Sequence, residues 1–269
     1  MLKEEEFEGA VAMLDVLGFG SRTDNVGLEV ARDTVVGPLL KATMDAQVIV
    51  MGDLQRFPAM PTLHYLYFAD TTIVYLPCQP RSILSNAAHV LDSMVYACAL
   101  LMASSIWMNV PLRGAIAYGK CLVCPDPLYL IGKPFLEAHE LERAQNWAGV
   151  TLCESAVSNL EENPRVVEWA VPLKDGRETR WVVNWPRQSL GPYIKHIDSS
   201  GNEKPGPTPD WDACFCSQDE SVQIKRRNTI EFFVSENPKG PLGVALGPEQ
   251  RNLVMHWKQM YAKGKLSLD

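Results

Sequence analysis

The segment from Ser82 to Met108 constrains this chain more than any other. Its inner part, Ser93 to Met108, carries no charge. A helix that is apolar nearly all round has no face to give to water, so it must be buried on most sides. The run falls short of the roughly 20 residues that a membrane span needs, and Asp92 and Asn109 bound it. The expectation is a core helix around which the rest of the chain is wrapped, with no membrane insertion.

Strands to cover it are legible nearby. Gly9 to Val16 is a short apolar run ended by Gly18, Gly20 and Ser21, and reads as a buried strand entering a tight loop. Val26 to Ala46 has helical spacing. Leu63 to Leu76 is rich in aromatic and β-branched residues around a single acid, as in a long central strand or a hairpin. Pro111 to Leu122 reads as a strand with a turn or bulge at Gly119, Leu128 to Ile131 as a short strand, and Phe135 to Trp147 as an amphipathic helix ended by Gly149. Val150 to Cys153 is one more short strand. Two helices that each return to strands of one sheet give a split βαβ, ferredoxin-like α+β core.

Beyond about residue 160 the texture changes. Val166 to Val171 and Arg180 to Trp185 flank Lys174-Asp175-Gly176 as a hairpin, Ser199 to Pro209 reads as loop, and Asp219 to Glu236 and Gly247 to Ala262 as helices. At about 150 residues per domain, the 269 residues suit a core with an appendage. The expected division is a core over 8–160 and a hairpin plus largely helical extension over 161–269.

Charge narrows the partners. Against 32 acidic residues stand 25 Lys and Arg, a net charge of -7, which speaks against nucleic acid or an anionic membrane as the general partner. Met1 is followed by Lys3, Glu4, Glu5 and Glu6, unlike a signal peptide. Seven Cys, an odd number, fit reduced thiols, and the expected location is the cytoplasm. Cys121 and Cys124 have metal or redox spacing, but no second such pair or nearby His completes a zinc site.

Two acids carry the chemical signal. Asp15 ends an apolar strand just before a glycine turn, where a carboxylate can hold a divalent ion and successive amides can hold phosphate oxygens. The alternative is a turn in which Asp15 caps a loop. Asp70 lies in Tyr67-Phe68-Ala69-Asp70-Thr71-Thr72, where an acid is costly unless a cation or hydrogen bonds satisfy it. If the two strands pair antiparallel, the carboxylates lie side by side and invite Mg²⁺ or Mn²⁺.

Those segments, with Arg113-Gly114-Ala115-Ile116-Ala117-Tyr118-Gly119 and the Gly132-led stretch through Glu137-Ala138-His139-Glu140-Leu141-Glu142-Arg143, resemble the class III nucleotidyl cyclase homology domain over residues 8–160. Asp15, Gly18 and Phe19 match its first element, Asp70 its second, and Arg113, Gly114, Ile116 and Gly119 its third. The departures are specific. Ala69 stands where a glycine is usual, Leu66 and Tyr129 where purine cyclases carry their base-reading Lys and Asp, and Leu136 and Glu140 where the helix Asn and Arg are expected. Lacking the purine pair, the pattern is closer to the Pycsar pyrimidine cyclases of bacterial antiphage systems.

The resemblance implies a homodimer with composite sites at its interface and two Mn²⁺ or Mg²⁺ ions per site. The metal residues would be Asp15, Val16 and Asp70, and the phosphate loop Leu17, Gly18 and Phe19. The substrate would be UTP or CTP, and a downstream effector would act through the cyclic product. Arg113, Arg143, Lys133 and the Lys225-Arg226-Arg227 cluster are candidates to balance phosphate charge, although Arg143 and the cluster also read as solvated helix residues. Tyr67 and Tyr129 could narrow a pyrimidine pocket or be core residues. The rival reading is a cyclase-like dimer that binds nucleotide without turnover; another is a purine cyclase with unfamiliar base recognition.

Overall fold

The computed structural model describes residues 4–20, 27–54, 63–79, 86–125, 128–188, 196–197, 203–204 and 209–236. Its main sheet contains β1 (Glu5–Val16), β2 (His64–Phe68), β3 (Thr71–Pro77), β4 (Leu112–Pro125), β5 (Leu128–Ile131), β6 (Val150–Leu152), β7 (Val166–Leu173) and β8 (Gly176–Val183). The order is β2-β3-β1-β4-β6-β8-β7, with β5 paired to the far end of β4. The long helices are α1 (Gly37–Leu54), α2 (Ala87–Trp107), α3 (Lys133–Ala144) and α4 (Glu220–Glu236). The expected helix over 247–262 and most of the expected loop over 199–209 lie outside the described residues. Within that loop, Glu203–Lys204 pairs with His196–Ile197.

β3 and β4 are both antiparallel to β1, so they run parallel to each other with β1 between them and α2 as their connection. That is the split βαβ, and it gives the α+β core that the sequence pattern implies. Side chains of β1 alternate between faces. Ala10, Ala12, Leu14 and Val16 pack with Val35, Leu39 and the apolar side chains of α2. Val11 packs with Phe135, and Met13 with Ala138 and Leu141, on the face that α3 covers. α2 is 21 residues long and apolar enough to cross a membrane by length and composition, yet 83% of its apolar window is buried within the chain.

Several boundaries differ from the sequence expectation, each for a local reason. Leu63 to Leu76 is a hairpin, and Asp70 sits in its turn rather than inside a strand, half-buried, after Ala69 at φ 54°. β4 runs through Gly119 without a break, because that residue pairs opposite Gly9 in β1. α3 stops at Ala144, since Gln145 is extended (ψ 149°) and its side chain is drawn into the core. Gly149 ends no helix; a Cβ there would stand 2.3 Å from the Trp147 ring.

Gly114 illustrates how tightly β1 and β4 approach. A Cβ at this position would lie 2.4 Å from both the Met13 carbonyl oxygen and Leu14 Cδ2. Backbone cannot give way as a side-chain tip can, so Gly114→Ala is expected to destabilise the fold by about 2 kcal/mol. Urea denaturation of the two proteins measures the difference; equal midpoints would show that the strands part without cost.

β8 joins the sheet through the single register pair Thr151 with Val182, and the β7–β8 hairpin follows it. α4 packs over this region through Phe232, which makes edge contacts with Trp147 and Trp169 at 4.9 and 5.2 Å.

Candidate functional site

The end of β1 is where the candidate residues gather. In the register, Asp15 stands between Thr71 of β3 and Arg113 of β4. The Val16 N–H donates to the Asp70 carbonyl at 3.0 Å, which fixes the β2–β3 turn against the end of β1. The two acids of the sequence argument are therefore neighbours, Asp15 at the end of β1 and Asp70 in the turn that leads into β3. Asp15 shares the α3 face with Met13, and there it lines a cleft of about 230 Å³ with Leu14, Thr71, Arg113, His139, Glu142 and Arg143.

Arg113 organises the floor of this cleft. Its Nε donates to Glu142 Oε1 at 2.6 Å, and one terminal nitrogen lies 2.5 Å from the same oxygen and 3.3 Å from Asp15 Oδ2. The other terminal nitrogen donates to the Gln145 carbonyl at 3.2 Å. Behind it, the fully buried Gln145 amide donates to the carbonyls of Gly114 and Leu141, and its oxygen accepts from Trp147 Nε1 and Thr151 Oγ1. With all four amide positions used, the strand-to-helix corner carrying the Arg113 contacts is held rigidly.

Asp15 is held close to other acids. The Asp15 carboxyl is pushed up to about 7 by burial first, then by Glu142 and by Asp70, against the opposing pull of Arg113. Around Asp15 itself, Glu142 and Asp70 oppose ionisation and Arg113 favours it, so a further cation at this carboxylate is electrostatically welcome. Asp15 and Asp70 offer hard oxygen donors suited to Mg²⁺ or Mn²⁺. Among the described residues no three His, Cys, Asp or Glu side chains converge closely enough to hold an ion by themselves. An ion at these acids would take its other ligands from water and substrate phosphates, as Mg²⁺ commonly does.

The other expected residues are distributed unevenly. The Leu17 N–H donates to the Pro111 carbonyl at 2.9 Å, so a phosphate could use that amide only by breaking this bond. Gly18 makes the turn at φ 75°, a left-handed conformation that favours glycine. Phe19 packs, partly buried, against the main core. Arg143 is exposed at the cleft rim, in the last turn of α3. Lys133 is exposed at the start of that helix.

Tyr67 and Tyr129 are not brought to the cleft within one chain. Tyr67 shares a register row with Thr72 and Leu14 on the opposite face, and its hydroxyl donates to Thr43 Oγ1 at 2.6 Å. Tyr129 pairs with Cys124, and its hydroxyl donates to Glu4. At about 3.3 Å per residue along β4, that register position is roughly 35 Å from Arg113. In the basic cluster, Arg226 pairs with Asp212 at 2.6 Å, Arg227 is exposed, and Lys225 lines a small pocket with Leu17 and Gly18.

Sequence reasoning did not single out Gln145 or assign a role to Glu142. Glu142 had a readable signal: with Phe135, Ala138 and Leu141 it lies on the buried side of α3. A charged residue on the apolar face of an amphipathic helix demands a partner.

No protein-family model matches the chain. No curated protein matches it in sequence. Among solved structures, it is similar to the adenylyl cyclase CyaB from P. aeruginosa, at 16% identity and a TM-score of 0.49, over 68% of this chain and 96% of that one. It is also similar to the catalytic core of a rhodopsin-guanylyl cyclase with converted specificity, in complex with ATPalphaS, at 14% identity and a TM-score of 0.48, over 67% of this chain and 98% of that one.

Proposed function

We propose that this chain is a metal-dependent nucleotidyl cyclase that converts a pyrimidine nucleoside triphosphate, UTP before CTP, to the 3′,5′-cyclic nucleotide and pyrophosphate. It works as a cytoplasmic homodimer in bacterial antiphage signalling, and a downstream effector reads the product. The observation that carries this reading is the nearness of Asp15, at the end of β1, to Asp70, in the turn bonded to that end, beside a cleft that Asp15 lines. Of the cyclase-like motif segments, Asp15, Arg113, His139, Glu142 and Arg143 line that cleft.

Asp15, Asp70 and the adjoining Val16 would hold the Mn²⁺ or Mg²⁺ ions. Such ions acidify the ribose 3′-hydroxyl and screen the triphosphate, favouring in-line attack at the α-phosphorus with loss of pyrophosphate. Arg113 keeps the Asp15 carboxylate aimed into the cleft while Glu142 and the Gln145 carbonyl keep Arg113 in place. Arg143 at the rim meets the phosphate charge. The turn from Leu17 through Gly18 to Phe19 borders the phosphates.

Base recognition by Tyr129 requires a second copy, given its distance from Arg113 along the sheet. Exposed apolar residues support such a partner: Phe68, Ile131 and Leu136 are 80%, 60% and 65% accessible. Tyr67 would reach a base only by leaving Thr43.

Incubation of the purified protein with Mn²⁺ and each of the four ribonucleoside triphosphates, with products resolved by mass spectrometry, tests the reading. A cyclic pyrimidine nucleotide is the expected product. A cyclic purine nucleotide would keep the reaction class and overturn the substrate. Metal-dependent nucleotide binding without product would turn the conclusion to a binding module.

A further inference from the structure

We propose that Lys225, from the C-terminal helix α4, binds phosphate oxygens of the triphosphate at the Gly18 turn, in the same chain that supplies Asp15. This rests on the nucleotide-binding reading above and adds to it a ligand from outside the motif-bearing core.

Lys225 lines a pocket of about 30 Å³ together with Leu17, Gly18, Cys214, Phe215, Cys216, Ser217 and Val222. That space admits one or two water-sized groups, which fits the oxygen edge of a phosphate and excludes a nucleoside. Gly18 lies three residues beyond Asp15, so the pocket opens beside the proposed metal end of β1. The neighbouring Arg226 is held by Asp212, whereas the half-buried Lys225 lines the pocket beside the turn.

The position of Lys225 is fixed by packing behind it. Thr229 Oγ1 accepts from the Ala148 N–H and donates to the Lys225 carbonyl, at 2.8 and 2.7 Å. Asn228 donates to the Asn146 carbonyl at 2.8 Å, and Arg177 pairs with Glu231 at 2.6 Å. Asn146 and Ala148 lie one and three residues after Gln145, whose carbonyl holds Arg113. The helix and the floor of the cleft are thus indexed to one corner of the backbone.

The electrostatics agree with that placement. Burial and then the positive charge of Arg113 disfavour the charged Lys225 ammonium, with Lys174 acting in the same sense and Asp219 against it. A bound anion would reverse the balance, since it would meet Lys225 with Arg113 and Lys174 at the side.

The test is calorimetric titration of the full chain with inorganic tripolyphosphate in Mg²⁺, alongside cyclase kinetics. Lys225→Gln and Lys225→Met are expected to weaken tripolyphosphate binding at least about tenfold, the loss of one charge-assisted contact. Lys225→Arg should largely restore it, and Lys120→Gln, on the exposed far part of β4, should leave it unchanged. In the kinetic arm, KM for the triphosphate should rise in Lys225→Gln. Wild-type affinity and KM in both neutral variants would overturn the proposal while leaving the cyclase reading intact. Lys225-dependent tripolyphosphate binding with no cyclic product from any nucleotide would uphold the lysine and remove the reaction. Failure of the wild type to bind tripolyphosphate would also overturn the lysine assignment.

Discussion

Asp15→Asn and Asp70→Asn, made separately, are each expected to lower cyclic-nucleotide formation by about 10³-fold or more, because each removes a charged metal ligand worth several kcal/mol in the transition state. For Asp15 the expected effect on stability has the opposite sign. Its folded-state pKa of about 7 lies above the ordinary carboxyl value of 3.8. The folded chain therefore binds more protons than the unfolded chain between those values, and stability falls as pH rises through that window. Above about pH 7 the ionised carboxylate costs the metal-free fold on the order of a few kcal/mol. Asn cannot ionise, yet its oxygen can still accept from Arg113. In EDTA, the urea midpoint of Asp15→Asn should equal or exceed that of the parent at pH 8 and vary less between pH 5 and 8. Product formation undiminished in either variant would end the assignment of these acids.

Arg113→Ala has the largest expected effect on the fold itself. The Arg113 and Glu142 side chains are 12% and 5% accessible. Removing the guanidinium leaves Glu142 buried and unpaired, beside an Asp15 already disfavoured as an anion. Breaking a buried pair by deleting one partner costs about 3 to 5 kcal/mol. For a chain of this size that corresponds to a fall in Tm of about 10 °C. The double variant Arg113→Ala with Glu142→Ala should recover part of the loss, since no buried charge is then stranded at that position. A single variant as stable as the parent would show that the Arg113–Glu142 pair does not hold the fold together. Differential scanning calorimetry at pH 7.5 distinguishes these outcomes.

Much of the fold was legible because apolar periodicity reports burial directly. The charge-free run ending at Met108 reads better as a core helix than as a membrane span, and the strand-like runs around it are the strands that pack there. Asp15 and Asp70 stood out as isolated acids in apolar surroundings, and pairing of β1 with β3 is what brings them together. Periodicity does not report which way a residue faces at a hairpin end. Tyr67 appeared as suitable for a base as Tyr129 until the register placed it against Thr43. Nor does local pattern see long-range closure. Gln145 collects partners from three strands or helices, and Lys225 shares a pocket with Gly18 across more than 200 residues of sequence. Such contacts depend on where the chain returns, which spacing along it does not encode.

The aromatic packing around α4 has an optical consequence. Of the seven tryptophans in the chain, Trp147, Trp169, Trp185 and Trp211 all contact Phe232 or Phe233 of this helix. Detachment of α4 would expose several indole rings to water together, shifting and reducing the intrinsic fluorescence. The protein thus carries its own spectroscopic indicator for the docking of the helix that bears Lys225.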